Sequence, residues 1–492
     1  MTTTNATGSA RPHVRPNLVL AICCLSLLIV SMDATIVNVA LPAIRRNFSA
    51  SNTGLQWVVD AYTLVVASVI LLSGSLADRF GRRRTFQTGM VVFTTASVLC
   101  SLSPSLGTLI AFRALQAIGG SMLNPVAMSI ITNTFLDPKA RAKAIGVWGA
   151  VIGVSMVAGP LVGGTLTQAV GWRSIFWINL PIGIAAILLA QRFVPESKAA
   201  RARRIDPVGQ LLVSTGFASL IYAVIEGNHQ GWSSPLIAGL FCLALCSVLG
   251  ILLYEPRQAE PLLDLRFWRS IPFASATVIA VCMFSAFAGF SFLNVLYLQE
   301  VRGMSAFRAG FYTLPLAVMT MAASPVSGRL VARWGTRLPL MIAGIGTAAS
   351  ALILTQLSAT TPLALLVLSY VVFGLGFGIV NPPITNTAVS GMPRAQAGLA
   401  AAIASTSRLF GSSLGVAIGG TLAGKHHGGA EFVAATHAFW WLVVGLGGTC
   451  ATLGFLSGGA RARASVDRIA ALLDDVAPTP TAATTPATLP ST

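Results

Sequence analysis

Apolar residues come in long runs separated by short polar breaks, from residue 17 almost to residue 457. A helix needs roughly 20 mostly apolar residues to cross a bilayer. Fourteen runs have that length: 17–41, 54–76, 85–104, 106–134, 143–167, 173–192, 207–226, 235–254, 271–297, 309–328, 338–357, 362–388, 397–420 and 437–457. The pattern predicts an all-α integral membrane protein with 14 transmembrane helices. The first run is too long for a signal-peptide core and lacks a convincing cleavage site, so it is expected to be a retained first helix.

Composition agrees with the pattern: 54% of residues are hydrophobic and only 10% are charged, more apolar material than one soluble core could bury. The net charge of +17 would suggest nucleic acid in a soluble protein. Its distribution gives another reading. With the N-terminus placed inside, 24 of the 32 Lys and Arg residues fall in inward loops and tails. Six fall outside (Arg45, Arg46, Arg173, Arg302, Arg308 and Lys425), and Arg113 and Arg408 lie within the membrane. This is a positive-inside bias that puts both termini in the cytoplasm, with no role for nucleic acid. Arg outnumbers Lys 28 to 4 and alanine is abundant, which by association suggests a GC-rich bacterial genome, and the expected location is the bacterial plasma membrane.

All seven cysteines sit in apolar runs, and the five histidines lie in tails, loops or at a helix end. No disulfide framework, metal cluster or catalytic triad is expected. No GxxxxGK[ST] loop is present for ATP-driven work. The chain is expected to be neither an enzyme nor dependent on a cofactor.

The chain resembles itself at a fixed offset. "GSLADRFGRRR" at 74–84 recurs as "GRLVARWGTR" at 328–337, "NPVAMSIITN" at 124–133 as "NPPITN" at 381–386, and "RAKA" at 141–144 as "RAQA" at 394–397. Offsets of 254, 257 and 253 indicate a duplication whose period spans eight or nine helices. The expected order is a cytoplasmic N-terminal tail at 1–16, a six-helix bundle at 17–192, a linker at 193–270 carrying two inserted helices, a second six-helix bundle at 271–457, and a disordered cytoplasmic tail at 458–492.

Three stretches carry a resemblance to a known family. "GSLADRFGRRR" resembles the loop motif of the major facilitator superfamily. "GVSMVAGPLVGG" at 153–164 is similar to the helix-five motif of its drug:proton antiporters, and "MDATIVNVALP" at 32–42 to the helix-one motif of the fourteen-helix branch. The resemblance implies the major facilitator fold and proton-driven export of a hydrophobic or cationic drug or antibiotic by alternating access. The implied partners are protons, membrane lipid and the small-molecule substrate, with the protein working as a monomer. An importer, or an exporter of an endogenous metabolite, is the alternative; a sensor or membrane enzyme would need an output domain or a polar constellation that the chain lacks.

The polar residues inside the runs are the candidate site. Asp33 lies about 15 Å from the end of helix one, close to the midplane. Desolvation there favours the protonated carboxyl, so Asp33 is expected either to carry protons and face the substrate cavity, or to serve as a fixed partner for an intramembrane Arg. Thr35 and Asn38, on another face, are expected to hydrogen-bond between helices. Arg113 in helix four resembles the family's proton-coupling Arg, or else snorkels to the outer interface, and Gln116 close by is expected to bind substrate together with Asp33, Trp57, Asp60 and Tyr62. Asp60, beside Trp57 and Tyr62 in sequence, is expected to form a shallow cation vestibule or to be a solvated residue at the cavity mouth. Glu226 is read as interfacial. Arg408, near the midplane, is expected to have a carboxylate or carbonyl partner.

Two further groups concern conformational change. Gly74, Asp78, Arg79, Gly81, Arg82 and Arg83 are expected to form a latch, with Gly74 permitting close helix approach; the bland alternative is that the arginines only set topology. Gly153, Gly159, Pro160, Gly163 and Gly164 give helix five a stripe without side-chain bulk, read as a gating seal or as generic tight packing.

Overall fold

A computed structural model of the chain describes residues 15–198, 206–258, 265–390, 397–424 and 429–474. A helix stands on every one of the fourteen apolar runs. They are α1 (Pro16–Phe48), α2 (Asn52–Phe80), α3 (Arg82–Leu102), α4 (Leu106–Thr134), α5 (Pro138–Ala169), α6 (Asn179–Phe193), α7 (Pro207–Gln230), α8 (Pro235–Tyr254), α9 (Ile271–Leu296), α10 (Ala306–Trp334), α11 (Arg337–Leu354), α12 (Leu363–Ser390), α13 (Ala397–Ala423) and α14 (Gly429–Ser457). A short turn, Ser174–Trp177, precedes α6, and a π-helical turn, Tyr297–Val301, extends α9.

The polar breaks between runs are helix starts. Ser51, Ser105, Asp137, Asp206, Ser234, Ser270 and Ser305 each accept a hydrogen bond from the backbone N–H three residues on, satisfying a donor the helix leaves open. Among the described residues, thirteen helical segments are long and apolar enough to cross a membrane. The helix α13 is not among them.

The helices pack in two sets with one plan. In the first, α1 packs on α5, α2 on α4, and α3 on α4 and α6; in the second, α9 packs on α13, α10 on α12, and α11 on α12 and α14. The duplication shows in local geometry too. Gly81 (φ +110°) ends α2 and Gly335 (φ +74°) ends α10, each donating its N–H to the carbonyl four residues back. The two positions are 254 residues apart, and only glycine adopts such φ values readily.

The sets meet along two seams, α5 against α10 and α2 against α13. Helix α7 lies on the second seam, touching both α2 and α13, while α8 packs chiefly on α7 and is otherwise largely exposed.

The tail expected to be disordered from residue 458 is helical for part of its length. Ala460–Asp474 forms α15, with Ala462, Ser465 and Ile469 buried on one face and Ser465 Oγ accepting from the Ile271 N–H. That face gives the segment a surface to order against. The Thr/Pro-rich residues 475–492 lie outside the described residues.

Candidate functional site

Helices α1, α3, α4 and α6 enclose a polar centre built on Asp33. Its Oδ2 lies 2.5 Å from Arg113 Nη1, and its Oδ1 accepts from Gln116 Nε2 at 3.0 Å and Asn179 Nδ2 at 3.2 Å. Arg113 Nη1 also donates to Gln116 Oε1 at 2.7 Å, and Nε to the Val58 carbonyl at 3.3 Å. The Tyr62 ring lies 4.4 Å from the guanidinium, and Asn179 Nδ2 further contacts Ser97 Oγ at 3.0 Å. Arg113 and Gln116 share one face of α4 because they stand three residues apart.

Asp33 is 0% exposed and Arg113 1%. Arg113 therefore does not snorkel, and Asp33 is held as its counter-ion rather than facing an open cavity. Unpaired, a charge in hydrocarbon costs at least about 3 kcal/mol; here the donors and acceptors of both groups are largely matched.

Asp60 is elsewhere. It is 0% exposed, and its Oδ1 accepts from Ser413 Oγ of α13 at 2.9 Å and Thr63 Oγ1 at 3.3 Å. The expected shallow vestibule is instead a buried hydrogen bond across the seam between the two helix sets. Trp57 does not face Asp60: its Nε1 donates to Glu226 Oε1 at 3.0 Å and its ring meets Tyr222 at 5.4 Å, so it anchors α7. Among the described residues, neither Thr35 nor Asn38 is seen to hydrogen-bond between helices. Thr35 Oγ1 donates to the Met32 carbonyl within α1, and Asn38 Oδ1 is buried without a partner. Arg408 has neither a carboxylate nor a carbonyl partner among the described residues; its Nη2 donates to the Thr385 hydroxyl.

The loop after α2 is held to its own helix set. Arg82 pairs with Asp78 at 3.2 Å, Arg79 is exposed, and the Glu196 carboxylate accepts from the N–H groups of Arg83 and Arg84 at 3.1 and 3.3 Å. Glu196 thus caps α3, whose own N-cap, Gly81, has no side chain. A Cβ on Gly81 would run into that carboxylate. The close helix approach expected at Gly74 is absent: a Cβ there would meet nothing within 4 Å, and the same holds for its repeat partner Gly328.

The helix-five stripe has two faces. Gly159 and Gly163, one turn apart, lie against Thr35 and Ile36 of α1; Gly153, Pro160 and Gly164 lie against Met321, Gly310 and Ala306 of α10. A Cβ on Gly164 would come within 2.7 Å of the Ala306 carbonyl oxygen. Helix α5 is therefore seated on α1 by one row and on the opposite helix set by the other.

At the end of the molecule carrying the α1–α2 turn, the two sets are tied together. Arg45 pairs with Glu300 at 2.8 Å and also donates to Asn52 Oδ1. Asn52 Nδ2 reaches the Gly424 carbonyl at 2.7 Å, Gln56 Nε2 the Ala417 carbonyl at 2.7 Å, and Gln299 Nε2 the Val39 carbonyl at 2.9 Å.

Sequence reasoning missed Asn179, Glu196, Ser413 and the Arg45–Glu300 pair. Asn179 had a signal, an amide within an apolar run. Glu196 had an indirect one, since three arginines open α3 without an acid to cap it. The cross-seam partners had none.

Residues 23–416 match the family model for the Major Facilitator Superfamily. The tetracenomycin C resistance and export protein of Streptomyces glaucescens is 36% identical over 409 residues, covering 83% of this chain and 76% of that one. The multidrug resistance protein Stp of Mycobacterium tuberculosis is 37% identical over 399 residues, 81% and 74% of the two chains. The multidrug efflux pump LfrA of Mycolicibacterium smegmatis is 32% identical over 416 residues, 84% and 82%. Among solved structures, a bacterial homolog of the human lysosomal transporter Spinster, in an inward-facing and occupied conformation, superposes with a TM-score of 0.65 at 18% identity, covering 92% of this chain and 98% of that one. That likeness concerns the fold.

Proposed function

The chain belongs to the major facilitator superfamily, and from that membership we propose that it is a proton-coupled exporter of hydrophobic, drug-like compounds working by alternating access. The observation that carries the coupling is the buried Asp33–Arg113 pair. A carboxyl that must be ionised to neutralise an enclosed Arg cannot keep a proton in the same state. When Asp33 gains a proton the pair is broken and Arg113 turns to other acceptors; when Asp33 releases the proton to water, the carboxylate regains Arg113, Gln116 and Asn179.

The end carrying the α1–α2 turn is assigned to the outside, on the Lys and Arg distribution, with both termini cytoplasmic in a bacterial plasma membrane. The ties from Arg45, Asn52, Gln56 and Gln299 then close the external end. On the inner side, Asp78, Arg79, Gly81, Arg82 and Arg83 form a latch that is disengaged in this state, with open space at Gly74 and Gly328. The α5 stripe is the seal that slides between α1 and α10. The bundles span 17–192 and 271–457, with α7 and α8 inserted between them, and each monomer transports alone.

The test is export into everted vesicles from cells making the protein, with a panel of neutral and charged aromatic drugs, with and without a proton uncoupler. Uptake that collapses with uncoupler supports the proposal. Uptake indifferent to the uncoupler, or absent for the whole panel, removes it.

A further inference from the structure

Arg408 is the intramembrane Arg that the transport cycle described above does not use. It projects from α13 towards α9 and α12, where Nη2 donates to Thr385 Oγ1 and the guanidinium carbon lies 5.9 Å from the Phe284 ring centroid. Its Nε is buried without a partner, and none of the ion pairs among the described residues includes it. Arg113, the other intramembrane Arg, has a carboxylate, an amide and a carbonyl.

The surroundings are aromatic. Phe284 packs edge-on against Phe377 at 5.1 Å, and Phe287 stacks on Phe377 at 4.2 Å with ring planes 8° apart. Phe284, Phe287 and Arg408 are half-buried, and Thr385 is exposed, so the group keeps an open side. Its neighbours on α13 reach the opposite helix set and α7: Leu409 packs on the first set's core, and Phe410 stacks on Phe217 of α7 at 4.5 Å. The cluster therefore lies beside the residues of α13 that meet the first helix set and α7.

We infer that Arg408, Thr385 and the Phe284–Phe287–Phe377 cluster form the substrate-recognition site, and that it takes planar aromatic compounds carrying a negative charge. This rests on the transporter reading and names its substrate class. A carboxylate or phenolate accepts paired N–H bonds from the guanidinium and supplies the counter-ion the protein withholds. The ring system lies against the phenylalanines. A cation is disfavoured at this cluster: Asp33 is already engaged by three donors, Asp60 has one oxygen held by two hydroxyls and the other enclosed without a partner, both carboxylates are fully buried, and Arg408 is the charge a compound beside the phenylalanines would meet.

The test is equilibrium binding of anthracene-9-carboxylate, anthracene-9-carboxamide, 9-(aminomethyl)anthracene and dodecanoate to the full-length protein in lipid nanodiscs. The aromatic carboxylate is expected to bind at least about tenfold tighter than the amide, about 1.4 kcal/mol, and tighter still than the amine and the aliphatic acid. Arg408→Lys should keep much of the preference. Arg408→Gln should erase it by weakening the carboxylate while leaving the amide unchanged. Equal affinities for the charged and neutral aromatic probes in the native protein, needing no variant, would overturn the inference, as would an undiminished preference in folded Arg408→Gln. Flux of the same probes in proteoliposomes under a pH gradient separates the two readings. Anion-selective binding without driven flux keeps the site and removes the exporter; driven flux without charge preference does the reverse.

Discussion

The guanidinium of Arg113 lies 2.5 Å from the carboxylate of Asp33, and the two side chains are 2% and 0% exposed. Neither charge has water to fall back on, so the two must be made and unmade together. Breaking such a pair from one side costs about 3–5 kcal/mol, because it strands the other charge. Asp33→Asn should therefore both abolish substrate-induced proton release and lower the thermal stability of the purified protein. Adding Arg113→Gln should recover most of the stability and none of the proton release. Native proton release from reconstituted Asp33→Asn would refute Asp33 as carrier.

Two positions in the α10-facing row of α5 should differ in tolerance. A Cβ at Gly153 would press on the flexible Met321 side chain at 2.8 Å, whereas one at Gly164 would press on backbone, the Ala306 oxygen at 2.7 Å and Phe307 Cα at 2.9 Å. Gly153→Ala should leave export within about twofold, and Gly164→Ala should cost tenfold or more, as a backbone that must shift is dearer than a rotamer. Vesicle uptake at matched protein levels measures both, and equal losses would contradict the distinction between side-chain and backbone contact within that row.

Glu300→Gln should loosen the proposed external closure. The Arg45–Glu300 pair is 12% and 13% exposed, so water screens it little, and its loss should shift the population toward the state open at that end by roughly tenfold, about 1.4 kcal/mol. Distance distributions between spin labels at Ser49→Cys and Thr360→Cys, in a background without reactive cysteines, would read the shift. An unchanged distribution would mean that the carbonyl ties from Asn52, Gln56 and Gln299 suffice.

Glu196→Ala removes the carboxylate that caps α3. The loss should be about 0.5–2 kcal/mol of stability, within the range for helix caps, with faster amide exchange at Arg83 and Arg84. Glu196→Gln should recover part of it, since an amide oxygen still accepts from both N–H groups. No change in exchange in Glu196→Ala would place the cap elsewhere.

A helix stands on each of the fourteen runs because run length is a local property, and so is the Ser or Asp that caps seven of them. The Gly81–Gly335 correspondence was legible for the same reason, as the φ values of +110° and +74° at these two turns favour glycine. Part of the candidate site was legible too: a carboxylate and an Arg in hydrocarbon need each other, and Asp33 with Arg113 was one of two readings left open. The choice between them was not local. Asp60 sits in an equally polar sequence context, yet it meets Ser413, 353 residues away, instead of a cation.

Sequence by itself thus determined the membrane class, the positions of the helices, the duplication and the family, all of which depend on composition and spacing along one chain. Tertiary structure alone decided which polar groups share a pocket. It gave Asp33 to Arg113 and Asn179, Trp57 to Glu226, and left Arg408 with a hydroxyl and aromatic rings. The physical reason is that hydropathy fixes how deep a side chain lies, while the rotation and neighbours of each helix fix what it faces. In hydrocarbon, where an unpaired charge is expensive, facing is what separates an ion pair from a binding site.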